Sequence, residues 1–238
     1  MDTALKALIF DVDGTLAETE RDGHRPAFNA AFAEYGLDWH WDECLYGELL
    51  AVTGGKERML HYAEHLDPQL LDDPHFPELV RTLHRAKTAH YVRIVEQGGL
   101  PLRPGVAELI DEARAAGIRL AIATTTSPEN VNALLRTSLG PDSRDWFEVI
   151  GAGDVVPAKK PAPDIYQWVL DRLQLPASAC LAIEDSDNGL RAALGAGLRC
   201  LITRNGYTAD QDFSGAWRAV DQLADVSLKN ISVHLDRL

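Results

Sequence analysis

An apolar run that stops at two carboxylates, Leu8-Ile9-Phe10-Asp11-Val12-Asp13-Gly14-Thr15-Leu16, constrains this chain more than any other stretch. A short continuous apolar segment such as Ala7 to Phe10 predicts a strand buried on both faces, as in a parallel sheet. With a strand's period of two, Asp11 and Asp13 project to the same side as the strand ends. Open α/β sheets bind ligands in the crevice beyond the strands' carboxyl ends, so two anionic oxygen donors there point to a hard cation and a phosphoryl group. The ordinary alternative is an Asp-Gly turn closing a hairpin. No alternating strand follows Gly14 to complete one.

A chain of 238 residues accommodates one α/β domain, or one domain with an insert, and buries about seven-tenths of its unfolded surface. Cys44, Cys180 and Cys200 are odd in number and lack metal-ligand spacing, and the N-terminus lacks the basic and apolar tract of a signal peptide, so a cytoplasmic location is expected. No apolar run approaches the roughly 18 residues of a membrane span. The net charge of -13 repels nucleic acid and anionic lipid. The expected partner is therefore a small anionic molecule, met by locally placed Lys, Arg or a metal ion, on a monomeric chain with no nucleic-acid or membrane partner.

After the first motif the apolar spacing changes to three and four, with Ala27-Phe28, Ala31-Phe32 and Tyr35 ahead of Gly36. Further helices are predicted near 42–50, 56–66 and 76–96, with no strand between Leu16 and Gly99. Gly98-Gly99 and Pro101 punctuate the chain, and Pro104-Gly105 opens a helix through Ala116. Strands then return at Ile118 to Thr124, Glu148 to Gly151, Cys180 to Glu184 and Arg199 to Thr203, each beside a helical segment. This alternation predicts an α/β fold, a doubly wound, Rossmann-like parallel sheet with helices on both faces. Residues 1–19 and 98–238 form its core, and 20–97 a small inserted α-helical cap domain. The pattern from Ile231 to Leu238 favours no one structure.

Three more signals lie at the ends of the later strands. Ala121-Ile122-Ala123-Thr124-Thr125-Thr126-Ser127 ends a strand in hydroxyls, which hold a phosphoryl oxygen if Pro128 starts a helix facing it. Thr also simply favours strands, and Ser before Pro favours a helix start. In Lys159-Lys160-Pro161 the proline biases Lys160 toward an extended backbone that can aim its ammonium, although most loop lysines are solvated. Leu181-Ala182-Ile183-Glu184-Asp185-Ser186 stops a second buried strand at paired carboxylates, of which helix capping needs only one. Two carboxylates about 4 Å apart repel by roughly 4 kcal/mol at an effective dielectric near 20. Gathering Asp11, Asp13, Glu184 and Asp185 therefore calls for a cation, and Mg²⁺ best suits oxygen ligands and substrate phosphate.

In order and spacing, Asp11-Val12-Asp13-Gly14-Thr15, Thr124, Lys160 and Glu184-Asp185 resemble the four motifs of the haloacid-dehalogenase superfamily. That resemblance implies a phosphatase with Asp11 as nucleophile, Asp13 as general acid and base, Thr124 orienting the phosphoryl group, Lys160 neutralising charge on its oxygens, and Mg²⁺ on Asp11, Asp13, Glu184 and Asp185. The insert resembles the small movable cap of β-phosphoglucomutase. Thr19 to Arg25, Ala27-Phe28-Asn29 and Thr53 to Met59 look like the CbbY-type members of carbon-fixing bacteria and plastids. The implied substrate is xylulose 1,5-bisphosphate, an inhibitory by-product of Rubisco. Gly54 and Gly55 let backbone approach a ligand, and Lys56 with Arg58 can hold a second phosphate. The resemblance also implies Glu20, His24, Tyr46 and Lys87 as substrate contacts in the insert, and Thr125, Thr126 and Asn130 in the core.

Two enzyme alternatives share these motifs: a phosphoglucomutase-like isomerase and a phosphoglycolate phosphatase. The second has no second phosphate for Lys56 and Arg58. A phospho-aspartate receiver module is the non-enzyme alternative, but it lacks both an acid at position +2 and a cap. His61-Tyr62-Ala63-Glu64-His65 matches an H-x-x-E-H zinc-peptidase pattern. No third protein ligand is singled out for it.

Overall fold

The computed structural model describes residues 4–98 and 100–235. Gly99, in the expected exit from the insert, and residues 236–238 of the ambiguous C-terminal stretch lie outside the described residues.

Six strands form one sheet: β1 (Ala7–Phe10), β2 (Arg119–Ala123), β3 (Phe147–Gly151), β4 (Cys180–Glu184), β5 (Arg199–Thr203) and β6 (Arg218–Val220). Their spatial order is β3-β2-β1-β4-β5-β6, and every pair is parallel. Strand alternation divides the sheet's side chains into two cores. Leu8, Phe10, Ile122, Ile183 and Leu201 face one way; Ala7, Ile9, Ala121, Ala182 and Ile202 face the other. The first face is covered by α5 (Val106–Ala115) and α6 (Pro128–Leu139), the second by α7 (Asp164–Leu173) and α8 (Asp187–Gly195). β1 sits between β2 and β4, with Phe10 in register with both Ile122 and Ile183. Asp11 thus leaves the sheet level with the ends of both neighbours.

Between β1 and α5, among the described residues, the elements are helical: α1 (Arg25–Glu34), α2 (Glu43–Leu49), α3 (Gly55–Leu66) and α4 (Phe76–Glu96), with one turn of π-helix at Glu20–His24 and a 3₁₀ turn at Pro68–Asp72. The three-and-four spacing of α1 buries Phe28 and Phe32 against Trp41, Tyr46, Met59 and Leu83, a core separate from the two on the sheet. Local chemistry sets the ends. Asp42 caps α2 by accepting a hydrogen bond from the Leu45 amide at 2.8 Å, and Gly36 follows α1 in a left-handed conformation, φ 69°. The 21-residue α4 spans both regions, with Val80 and Leu83 in the helical core and Tyr91 and Val95 in a sheet core.

The strands and helices expected from periodicity are present, with ends shifted by a residue or so. β6 was not expected, because three residues carry no readable alternation. The ambiguous C-terminus contributes α9 (Leu228–Leu235), whose Ile231 is buried in the first sheet core. Gly105, at the start of α5, has φ +85°, and a Cβ there would lie 2.0 Å from the Ala224 amide nitrogen. Gly105→Ala is expected to lower stability by about 2 kcal/mol or more, read as the shift in urea midpoint, since both the backbone conformation and the close approach oppose a side chain.

Candidate active site

Lys160, from the loop after β3, lies buried beneath the carboxyl ends of the central strands. Its Nζ donates to Asp11 Oδ1 and Glu184 Oε1, each at 2.6 Å, and to the Ala123 carbonyl at 2.9 Å. Tyr166 donates a further hydrogen bond to Glu184 Oε1. Carboxylate oxygens of Asp11, Glu184 and Asp185 lie within 4.8 Å of one another. Burial raises Asp11 well above the ordinary carboxylate range despite Lys160, while burial and the Glu184 charge push Asp185 up to about 8. Three carboxyl groups thus face a single ammonium. Glu184 Oε2 is buried without a hydrogen-bond partner, and a Cβ on Gly189 would stand 2.0 Å from it. An all-oxygen donor set, one orphaned oxygen and a backbone cradle together fit a hard divalent cation.

Asp13 was expected among the carboxylate ligands, but its side chain is turned elsewhere. Its Oδ1 accepts from Thr19 Oγ1 at 2.6 Å and is paired with His24 Nε2 at 2.8 Å. Burial opposes ionisation of Asp13, yet His24 and Thr19 outweigh it and hold the group at about 2. Lys87 Nζ lies 2.8 Å from His24 Nδ1, and the imidazole stacks on Tyr91. Because an ammonium only donates, Nδ1 accepts, which leaves Nε2–H to donate to Asp13. Sequence resemblance placed His24 and Lys87 as separate substrate contacts; the structure makes them one chain ending on Asp13.

On the hydroxyl loop, Thr124 is buried and its Oγ1 accepts from the Thr126 amide at 3.2 Å. Asn130 Nδ2 donates to Thr126 Oγ1 at 2.9 Å, and Ser127 caps α6. Thr124 and Thr125 line the same cavity as Asp11, whereas Thr126 and Asn130 stand behind, on a small recess with His24 and Lys87.

The cavity at the strand ends, of about 460 Å³, runs from Asp11 and Lys160 to Glu20, Gly54 and Arg58 in the helical insert. Arg58 is buried, donates to Tyr46 Oη at 2.7 Å and lies 3.6 Å from Glu20. Tyr46 in turn donates to Glu20, so the three form one connected group. Gly54 has φ +101°, a conformation that suits glycine. Lys56, expected beside Arg58, instead reaches Asp154 at 2.6 Å and lines a second cavity with Gly55. His61, Glu64 and His65 bring ligand atoms together elsewhere, on α3.

Several contributors carried no readable signal. Asn205 donates to Asp185 at 2.7 Å from a loop with no motif. Arg103 donates to the carbonyls of Gly14, Thr203, Arg204 and Asp221, gathering the loops beneath the site. Gly14, by contrast, was part of the first motif: a Cβ there would meet Asp185 Oδ2 at 2.2 Å.

Comparison with known proteins identifies the family. Residues 5–197 match the family model described as hydrolase, haloacid dehalogenase-like hydrolase. The chain is 53% identical to the plasmid protein CbbY of Cupriavidus necator over 221 residues, 93% of this chain and 87% of that protein. It is similar to the crystal structure of a CbbY mutant from Rhodobacter sphaeroides in complex with xylulose-(1,5)bisphosphate, at TM-score 0.87 and 48% identity over 96% of this chain and 99% of that one. β-Phosphoglucomutase from Clostridium difficile shares the fold, with TM-score 0.79 at 20% identity, covering 97% of each chain.

Two outcomes are expected. Gly189→Ala displaces the Glu184 carboxylate and weakens divalent-cation binding, measured by calorimetric titration, by about ten-fold or more. Lys87 is held down at about 8 from an ordinary 10.5 by burial, with Arg58 adding to that effect and Asp13 and Glu20 opposing it. The unfolded chain therefore binds more protons there, and wild type loses stability as pH falls from 10.5 to 8. Lys87→Met removes this contribution. Its stability relative to wild type is expected to rise by roughly 3 kcal/mol across that interval and then level off, read by chemical denaturation at several pH values.

Proposed function

The chain belongs to the haloacid dehalogenase-like hydrolases, and on that premise we propose that it is a Mg²⁺-dependent phosphatase hydrolysing xylulose 1,5-bisphosphate through an aspartyl-phosphate. The observation that carries the reading is the single cavity with Asp11 and Lys160 at one end and Arg58 at the other. A phosphoryl group at the strand ends leaves Arg58 for a second anionic group on the same small substrate. The CbbY relative crystallised with this bisphosphate supports that choice. Residues 20–97 then act as a cap domain on the core, and the cytoplasm is the proposed location.

In the proposed reaction, a carboxylate oxygen of Asp11 attacks phosphorus in line, and the bond between phosphorus and the sugar oxygen breaks. Asp13, ionised in the free site, takes up a proton from solvent as the anionic substrate binds beside it and passes it to that oxygen, while the Nε2–H of His24 holds the carboxyl group in place. Water then attacks the aspartyl-phosphate, Asp13 takes the water's proton, and phosphate leaves. Lys160 fixes the orientation of Asp11, and the loop at Thr124 and Thr125 borders the phosphoryl position. Mg²⁺ on Asp11, Glu184 and Asp185 would supply the positive charge that offsets the carboxylates and the phosphoryl oxygens. The Glu20, Tyr46 and Arg58 group positions the distal end, which shortens the search for an in-line geometry.

A mutase shares the first half of this chemistry and differs in returning the phosphoryl group to sugar. Incubation with xylulose 1,5-bisphosphate and Mg²⁺ is expected to release inorganic phosphate and a pentulose monophosphate. An isomeric hexose phosphate formed from a hexose monophosphate, without phosphate release, would overturn hydrolysis. Asp11→Asn is expected to lower phosphate release by at least about a thousand-fold. Arg58→Ala should reduce kcat/KM for the bisphosphate by roughly ten- to hundred-fold, and much less for a sugar monophosphate.

A further inference from the structure

The H-x-x-E-H segment on α3 plays no part in the proposed reaction, yet its side chains converge. One ligand atom each from His61, Glu64 and His65 lies within 4.8 Å of the others. The two histidines are one helical turn apart on one face, with ring centroids 4.2 Å apart. His61 is half-buried, while Glu64 and His65 are exposed, so a hydrated ion can reach the group. His65 Nδ1 lies 2.8 Å from the His61 carbonyl. A carbonyl oxygen only accepts, so Nδ1 carries the hydrogen and Nε2 keeps its lone pair for a ligand. Metal-bound histidines are commonly fixed by this kind of outer hydrogen bond.

The opposite face of α3 is anchored. Met59 and Ala63 are buried in the helical core, and Tyr62 packs edge-on against Trp39 and Trp41. The histidine pair therefore stands on a rigid element, and binding an ion costs little ordering. Two imidazoles and one carboxylate suit borderline divalent cations, whereas Mg²⁺ prefers oxygen alone. We propose that His61, Glu64 and His65 form a second metal site, for a borderline divalent cation of the Zn²⁺, Ni²⁺ and Cu²⁺ class, on the outer face of α3 and distinct from the carboxylate group at the strand ends. The remaining coordination positions face solvent. Binding there clasps the C-terminal half of the helix whose first turn carries Gly55 and Arg58.

The test uses the full chain without an affinity tag, with Mg²⁺ in excess to occupy the carboxylate group. Calorimetric titration with Zn²⁺ is expected to show one more equivalent in wild type than in the H61A/H65A variant, and Zn²⁺ should raise the thermal midpoint of wild type alone. His65→Asn alone is expected to weaken Zn²⁺ binding about ten-fold or more. With Cu²⁺, paramagnetic resonance should show coupling to two imidazole nitrogens in wild type and lose it in the variant. Unchanged near-ultraviolet circular dichroism of the single variant establishes that its fold is intact. Indistinguishable Zn²⁺ isotherms for wild type and both variants would overturn the proposal, as would Cu²⁺ bound without the two-nitrogen signature.

Discussion

One buried ammonium organises the centre of the molecule. Lys160 reaches the carboxylates that end β1 and β4 and the carbonyl that ends β2, so a single cation ties three strand ends together. Taking an ammonium out of water is costly, and the cost is offset only because its donors meet close, mostly anionic acceptors. The balance is still incomplete. Asp11, Glu184 and Asp185 together oppose one ammonium, which is why burial can lift Asp11 and Asp185 so far from their ordinary values. A divalent cation has the sign and size that would restore the balance.

The carboxylates can crowd because the backbone around them is held from below. Arg103 is buried and directs its guanidinium to carbonyls from the loop after β1 and from the segments after β5 and β6. Its fork of donors suits convergent acceptors in a way that a lysine could not match. Held there, the Gly14 turn comes so near Asp185 that no side chain fits, and Asn205 Nδ2, beside the same turn, donates to the Asp185 oxygen that faces it.

The part of this arrangement legible in the sequence is the part generated by short-range rules. β1, β2, β4 and β5 are continuous apolar runs, so their existence and the position of Asp11, Thr124 and Glu184 at their ends follow from periodicity and composition. The helices of the insert were equally readable, since α1 and α4 present regular apolar faces. What escaped depends on long-range geometry. Asn205 and Arg103 sit in segments without a pattern, and their roles arise from residues up to 191 positions away. Asp13 looked like a ligand because period two aligns it with Asp11, but the chain turns at Gly14 and the carboxylate joins Thr19 and His24 instead. Lys56 was paired with Arg58 because both cations lie in the segment that resembles the CbbY-type members. Residues two apart on a helix do not share a face, and Lys56 accordingly meets Asp154.

The insert contributes charge in two chains of different character. Lys87 and His24 extend toward Asp13, bringing a proton-bearing imidazole against its carboxylate. Arg58 approaches from another side, but Glu20 and Tyr46 already occupy part of its hydrogen-bonding capacity. In the proposed binding mode, an incoming anion must therefore compete with a carboxylate for the same guanidinium. A neutral hydroxyl gains little in that exchange, whereas a phosphate dianion gains two charge-assisted hydrogen bonds in a buried setting. In the proposed function, Glu20 thus raises the threshold for ligands at the distal end, and selectivity follows from the cost of displacing it as much as from attraction to Arg58.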